Sequence, residues 1–192
     1  MSKILENLKT TILVGVVLAI VVAVWRHTDQ FSTEIYWSFV MRWIHVLAGI
    51  LWIGLLYYFN FVQIPSMPKI PDEQKPAIGK VIAPTALFFF RWAAAVTVLF
   101  GLLTAGANHY IGEALSFRPG FVTIGLGMWL ALIMAFNVWF IIWPNQKRAL
   151  GIVAAEPDDK KKSARIAMLT SRINTLLSIP MLYCMVAQQN VG

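Results

Sequence analysis

Five apolar runs, each long enough to cross a lipid bilayer as a helix, constrain this chain more than any other feature. A helix needs at least about 16 to 20 apolar residues to cross a hydrocarbon layer of roughly 30 Å. Backbone polar groups in lipid must be paired internally, which leaves helices and closed barrels as the only spanning structures. The sequence therefore predicts an all-α integral membrane protein, a five-helix transmembrane bundle with spans at residues 10–25, 35–62, 84–108, 121–143 and 166–187.

The composition agrees with a membrane protein and argues against a soluble domain. Hydrophobic residues make up 58% of the chain and charged residues 13%, and the mean hydropathy is +0.67. The net charge of +7 does not indicate nucleic acid, because the basic residues lie beside the apolar runs, where membrane orientation explains them. We expect residues 1–34 to form an N-terminal anchor helix with an outer loop, and residues 35–192 to form a four-helix membrane domain.

Lysine and arginine are distributed unevenly between the two sides of the predicted bundle. The N-terminus, the second loop and the fourth loop together carry eleven of them, whereas the opposite side carries only Arg26 and Arg118. Cytoplasmic loops are enriched in these residues. The N-terminus is therefore predicted to be cytoplasmic and the C-terminus periplasmic, in a multi-pass protein whose first partner is the lipid bilayer.

Three arginines, Arg42, Arg91 and Arg172, lie inside apolar runs that contain no aspartate or glutamate. A charge at the centre of a bilayer costs about 3 kcal/mol or more, so it persists where it faces the protein interior and meets a partner. Because these runs supply no carboxylate, we expect an anionic group from outside the chain, such as a haem propionate, a substrate or a lipid headgroup.

Five polar residues from four of the predicted spans fall at a similar depth. At about 1.5 Å per residue, Arg91, Asn137 and Arg172 lie about 10 Å inside the cytoplasmic face, with Asn60 and Asn174 nearby. One interpretation is that they hydrogen-bond between helices or extend to the headgroups. The other is a polar pocket that receives an anion or a substrate.

The second run carries a different set of residues, Arg42, His45, Gly49 and Trp52, which lie along one helical face at positions i, i+3, i+7 and i+10. His45 is near the predicted midplane, where a histidine must hydrogen-bond or ligate a metal, and neutral imidazole suits iron. Gly49 removes a side chain that would block a flat macrocycle, and Arg42 is placed to meet propionates. These residues predict a b-haem site with His45 as the metal ligand and no evident second axial ligand.

Covalent haem attachment is excluded by the cysteine content. Cys184 is the single cysteine, and the C-x-x-C-H attachment motif does not occur. Any haem would be held by coordination and packing alone.

Three segments resemble one known family in their order along the chain. They are RWIHVLAGILWIG at residues 42–54, FNVWFIIWPNQK at residues 136–147 and SRINTLLSIPML at residues 171–182. Together they resemble the membrane domain of the PuuD-type urate oxidases (urate hydroxylases), and the resemblance covers roughly residues 36–187.

This resemblance implies a membrane-embedded redox domain of the bacterial inner membrane that passes electrons to the respiratory chain. Residue by residue, it places Arg42 and His45 in the first shared helix, Arg91 in the second, Asn137 in the third, and Arg172 with Asn174 in the fourth. The chain departs from the family in lacking the cytochrome c domain that follows the membrane domain, and in adding the helix at residues 10–25.

Two functions of different classes are therefore predicted. The first is a b-haem redox protein, an oxidoreductase acting on a urate-like or other small reductant with cytochrome c or another respiratory-chain partner. The second is a non-catalytic accessory subunit of a larger membrane oxidoreductase or monooxygenase complex. A transporter is disfavoured, because no pair of helices is broken by glycine and proline in the way that transporters use.

Overall fold

A computed structural model describes residues 2–191, and within this range the chain is entirely helical, with no strand. Five long helices account for most of it: α1 (Leu8–His27), α2 (Glu34–Tyr57), α3 (Ala83–Ala107), α4 (Val122–Phe136) and α5 (Pro157–Asn190). The prediction of an all-α protein is confirmed.

Four continuous helical stretches are long and apolar enough to cross a membrane: Leu8–Gln30, Glu34–Lys69, Lys75–Ala107 and Val122–Ala149. They correspond to the first four predicted spans and extend beyond most of them. The fifth predicted span lies within α5, which is not among the four. Its sequence combines Arg172 with buried polar residues such as Asn174 and Ser178, which lower its hydropathy. The fifth span and the orientation of the termini stay predictions.

The chain divides into two compact units, one up to Val40 and the other from Met41 onward. In the first unit, α1 begins with Asn7 as its N-cap, whose Oδ1 accepts hydrogen bonds from the backbone of Lys9 and Thr10. None of the residues of α1 is buried. An apolar helix without a buried residue fits a lipid environment better than water.

In the second unit, three helices continue into wider π-helical turns. These turns are Tyr58–Gln63 after α2, Ile78–Ile82 before α3 and Asn137–Ile142 after α4. All three turns lie at the same end of the second unit. The loops at this end carry most of the basic residues, and we call it the basic end. Turns of this kind interrupt the regular helical hydrogen bonding and often accompany functional sites.

The main core of the second unit lies between α2, α3, α4 and α5. Trp52, Leu56 and Met134 are fully buried there, and Phe90 is nearly so. A smaller cluster at the opposite end joins Ala105, Ala114, Ile124 and Met128. Close approach requires glycine at this end: a Cβ on Gly125 would lie 2.1 Å from the carbonyl oxygen of Ala114.

Candidate functional site

The structure pairs two residues of the predicted polar layer directly with each other. Asn137 Nδ2 donates to Asn174 Oδ1 at 2.8 Å, and Asn174 Nδ2 donates to the carbonyl oxygen of Met134 at 2.9 Å. Both side chains are buried. These bonds tie α5 to the end of α4, the interhelical role that buried amides commonly serve in membrane bundles.

Asn60 and Arg172 meet at a different place, a groove on the outer surface of the second unit. Asn60 Nδ2 donates to the carbonyl oxygen of Leu56 at 2.9 Å and to Ser171 Oγ at 2.8 Å. Its Oδ1 is buried and accepts no hydrogen bond. The Arg172 side chain is exposed. The groove has a volume of about 310 Å³ and is lined by Asn60, Phe61, Arg172, Thr175, Leu176 and Ile179.

Arg91 is held by tryptophans, with no carboxylate at its side. Its guanidinium carbon lies 3.3 Å from the ring centroid of Trp143 and 5.9 Å from that of Trp139. Among residues 2–191, ion pairs join only Lys75 to Asp72 and Lys161 to Asp158. Arg91 Nε and Nη1 are buried and have no hydrogen-bond partner. The guanidinium therefore retains two donor nitrogens without a partner.

The five residues predicted to form one pocket thus occupy three places. Asn137 donates a hydrogen bond to Asn174, Asn60 and Arg172 line the groove, and Arg91 packs on the tryptophans. The common depth of the five residues stays a prediction, and depth alone does not determine which way each side chain points.

His45 makes a hydrogen bond to the neighbouring helix. Its Nδ1 lies 2.7 Å from the carbonyl oxygen of Thr97 on α3. A carbonyl can only accept, so Nδ1 carries the proton, and Nε2 has an available lone pair if the ring is neutral. Nε2 has no hydrogen-bond partner in the described part of the chain. This is the arrangement in which metal-ligating histidines are commonly oriented.

Gly101, which the sequence did not single out, makes room for the imidazole. A Cβ at this position would lie 2.9 Å from both Cε1 and Nδ1 of His45. At Gly49, an added Cβ would instead meet Thr97 Cγ2 at 3.8 Å, an ordinary contact. Gly49 therefore faces a helix interface that α3 fills, and not the open space predicted for a macrocycle.

The other two residues of the predicted haem face occupy different environments. Trp52 is fully buried in the main core, and its indole Nε1 has no partner. Arg42 is partly exposed and lies towards Tyr110, in the loop after α3. Burial raises the pKa of Tyr110, and the positive charge of Arg42 partly offsets this rise.

No group of three or more histidine, cysteine, aspartate or glutamate side chains that could hold a metal ion occurs among residues 2–191. His45 is the only histidine within helices α2 to α5.

The apolar helices, with unpaired guanidinium groups and a hydrogen-bonded histidine between them, define an all-helical, multi-pass membrane protein. Residues 85–190, more than half of the chain, match the family described as "Urate oxidase N-terminal". The chain belongs to this family, as the resemblance in the sequence indicated. No curated protein and no solved structure gives a significant match.

The family match covers α4, α5 and most of α3, and so includes Arg91, Asn137, Arg172 and Asn174. It begins after α2 and therefore leaves out His45.

Proposed function

We propose that this chain is a membrane-embedded redox protein of the bacterial inner membrane, related to urate oxidase, which holds a b-type haem through His45. Membership of the urate oxidase N-terminal family supports the membrane-bound oxidoreductase class. In this proposal α5 is the fifth span, the basic end faces the cytoplasm, and electrons pass to or from a cytochrome c or another respiratory-chain partner.

The observation that carries the proposal is the hydrogen bond between His45 Nδ1 and the Thr97 carbonyl oxygen. Because the carbonyl oxygen accepts from Nδ1–H, Nε2 of His45 is left with a lone pair and without a partner among the described residues. In this proposal Nε2 of His45 would hold the haem iron. Bound there, haem would supply one-electron transfer.

The chain's own residues provide the electrostatics of the site. Arg42 carries a positive charge three residues from His45, towards the end of the unit opposite the basic end, where it would neutralise propionates. The groove of Asn60 and Arg172 would take the small anionic substrate. Arg172 has no carboxylate partner there, and Asn60 Oδ1 is an unused acceptor for an N–H or O–H group.

A visible spectrum of the purified protein tests the haem proposal. Expressed with a haem precursor and purified in detergent, the protein should show a Soret band and a b-type pyridine haemochrome. His45→Ala should lose both. His27→Ala, which removes a histidine of the first unit, is the matched control and should keep them.

A purified protein without iron porphyrin, or a His45→Ala variant with an unchanged spectrum, would overturn the haem site. A colourless chain that co-purifies stably with a larger oxidase or monooxygenase would support the accessory-subunit function instead.

The substrate groove is tested separately with urate in membranes that contain the protein. Arg172→Gln should raise the KM for an anionic reductant by about tenfold, because a hydrogen bond to a charged group contributes about 1.5 kcal/mol or more. Lys161→Gln removes the same charge from an exposed position on the same helix and should leave the KM unchanged. Equal effects of the two variants would exclude a specific role for the groove.

A further inference from the structure

A second cavity lies at the basic end, between the helical segment Trp143–Ala149 and the start of α5. Its volume is about 330 Å³. Asn145 and Arg148 line one wall, from positions one turn apart. Asp159, Lys162 and Ser163 line the other, from the first two turns of α5. None of these five residues belongs to the proposed redox site or to the substrate groove.

Ser163 presents a hydroxyl to the cavity. The residue as a whole is only 4% exposed, and no hydrogen bond joins its hydroxyl to another group in the described part of the chain. Because this residue lines the cavity, a ligand or water within it is the available partner.

The charges around the cavity are also unpaired. Arg148 and Lys162 approach from opposite walls, and neither is within ion-pair distance of a carboxylate, since the two ion pairs in residues 2–191 lie elsewhere. Asn145 Nδ2 is occupied by the carbonyl oxygen of Ile141. Two cations and one carboxylate, Asp159, leave the lining with a net positive charge.

We propose that this cavity binds a phosphate ester that also carries a hydroxyl or ammonium group. Arg148 and Lys162 would hold the phosphate from two sides, since guanidinium and ammonium groups are the usual phosphate partners. Ser163 would donate to a phosphate oxygen, and Asp159 would accept from the hydroxyl or ammonium group. The volume exceeds the needs of a single small ion, because one water occupies about 30 Å³ of liquid.

Two sources supply this chemistry: the headgroup of an anionic phospholipid, and a soluble phosphate ester from the aqueous side. The apolar stretch Val122–Ala149 ends at the cavity, which places it where a span would leave the membrane. Binding of short-chain phosphatidylglycerol and of glycerol 3-phosphate to the full chain in detergent, measured by thermophoresis, distinguishes the two. Saturation by the first alone identifies a lipid site, and saturation by the second identifies a soluble ligand.

Variants distinguish specific binding in the cavity from non-specific electrostatic attraction of the phosphate group to a basic surface. Ser163→Ala should weaken binding about tenfold, the value of one hydrogen bond to a charged group. Lys162→Gln should weaken it at least as much. Lys161→Gln removes the same charge from the adjacent residue, which is exposed and does not line the cavity, and should change the dissociation constant by less than about threefold.

The proposal is overturned if neither probe saturates, or if Lys161→Gln and Lys162→Gln weaken binding equally. It is also overturned if Ser163→Ala binds like the unmodified protein. All three variants should keep the visible spectrum of the unmodified protein, so this test and that of the haem site fail independently.

Discussion

Gly101→Ala should destabilise the protein through His45. The new Cβ would lie 2.9 Å from two imidazole atoms, whereas ordinary contacts begin at 3.4 Å. The ring must therefore move by about 0.5 Å or more, away from α3. This movement stretches the 2.7 Å bond between Nδ1 and the Thr97 carbonyl oxygen towards the limit for an N–H donor, about 3.2 Å.

The expected magnitude follows from these two effects. A weakened hydrogen bond costs about 1 kcal/mol, and overpacking costs about 1 kcal/mol more. Replacing glycine by alanine inside a helix contributes up to about 1 kcal/mol in the opposite direction. Gly106→Ala on the same helix makes the identical substitution where a Cβ meets nothing within 4 Å. The difference between the two variants should therefore be about 2 kcal/mol, with helix propensity cancelled.

Thermal unfolding in detergent, followed by tryptophan fluorescence at one scan rate, measures this difference. For a chain of this length, about 2 kcal/mol corresponds to roughly 4–8 °C in Tm. Gly101→Ala should unfold below Gly106→Ala by that amount. Equal unfolding temperatures would refute the contact between His45 and α3, and with it the orientation of the imidazole by Thr97.

Two further predictions concern the amide pair and an exposed ion pair. Asn174→Ala should lower stability by about 1–2 kcal/mol, because it leaves Asn137 unpaired, while the exposed Asn190→Ala should be neutral in the same thermal assay. Hydrogen bonding to Lys75 at 2.5 Å, followed by the charge of that lysine, holds the pKa of Asp72 below its usual value of 3.8. Lys75→Met should return this pKa towards 3.8 in an NMR titration. A carboxyl group whose pKa is lower in the folded state than in the unfolded state stabilises the fold at pH values above its unfolded-state pKa. This stabilisation is lost as the pH falls through the folded-state pKa. The unfolding temperatures of the variant and the parent should therefore differ by the same amount at pH 6 and pH 8.

The positions of the long helices could be predicted from the sequence because bilayer thickness fixes the length of an apolar run. The common depth predicted for the polar residues stays a prediction. Depth says nothing about direction around the helix axis, however. Asn174 and Arg172 are two residues apart and so point about 200° from each other. One is therefore fully buried and the other exposed.

That angular information is present in the sequence, since helical spacing alone places the two residues on opposite faces of α5. The contact between His45 and Gly101 is not, because it depends on how α2 and α3 pack. Gly49 lies on the same face of α2 as His45. The glycine that the imidazole contacts is on α3 instead, and its position depends on how that helix packs. Predicting a contact between two helices requires their relative register. The apolar periodicity of either helix alone does not determine that register.

The environment of Arg91 is consistent with the prediction of a partner from outside the chain, even though the protein itself provides a contact. Stacking on Trp143 contributes about 2 kcal/mol for a desolvated cation. This only partly offsets the cost of about 3 kcal/mol for an arginine at membrane depth. An aromatic face also accepts no strong hydrogen bond, so Nε and Nη1 stay unsatisfied. The tryptophan thus stabilises the charge of Arg91 but leaves the N–H groups of Nε and Nη1 without an acceptor. We expect an anion or an ordered water to accept from these donors, and of the two arginines in the predicted polar layer Arg91 has the greater energetic need for one.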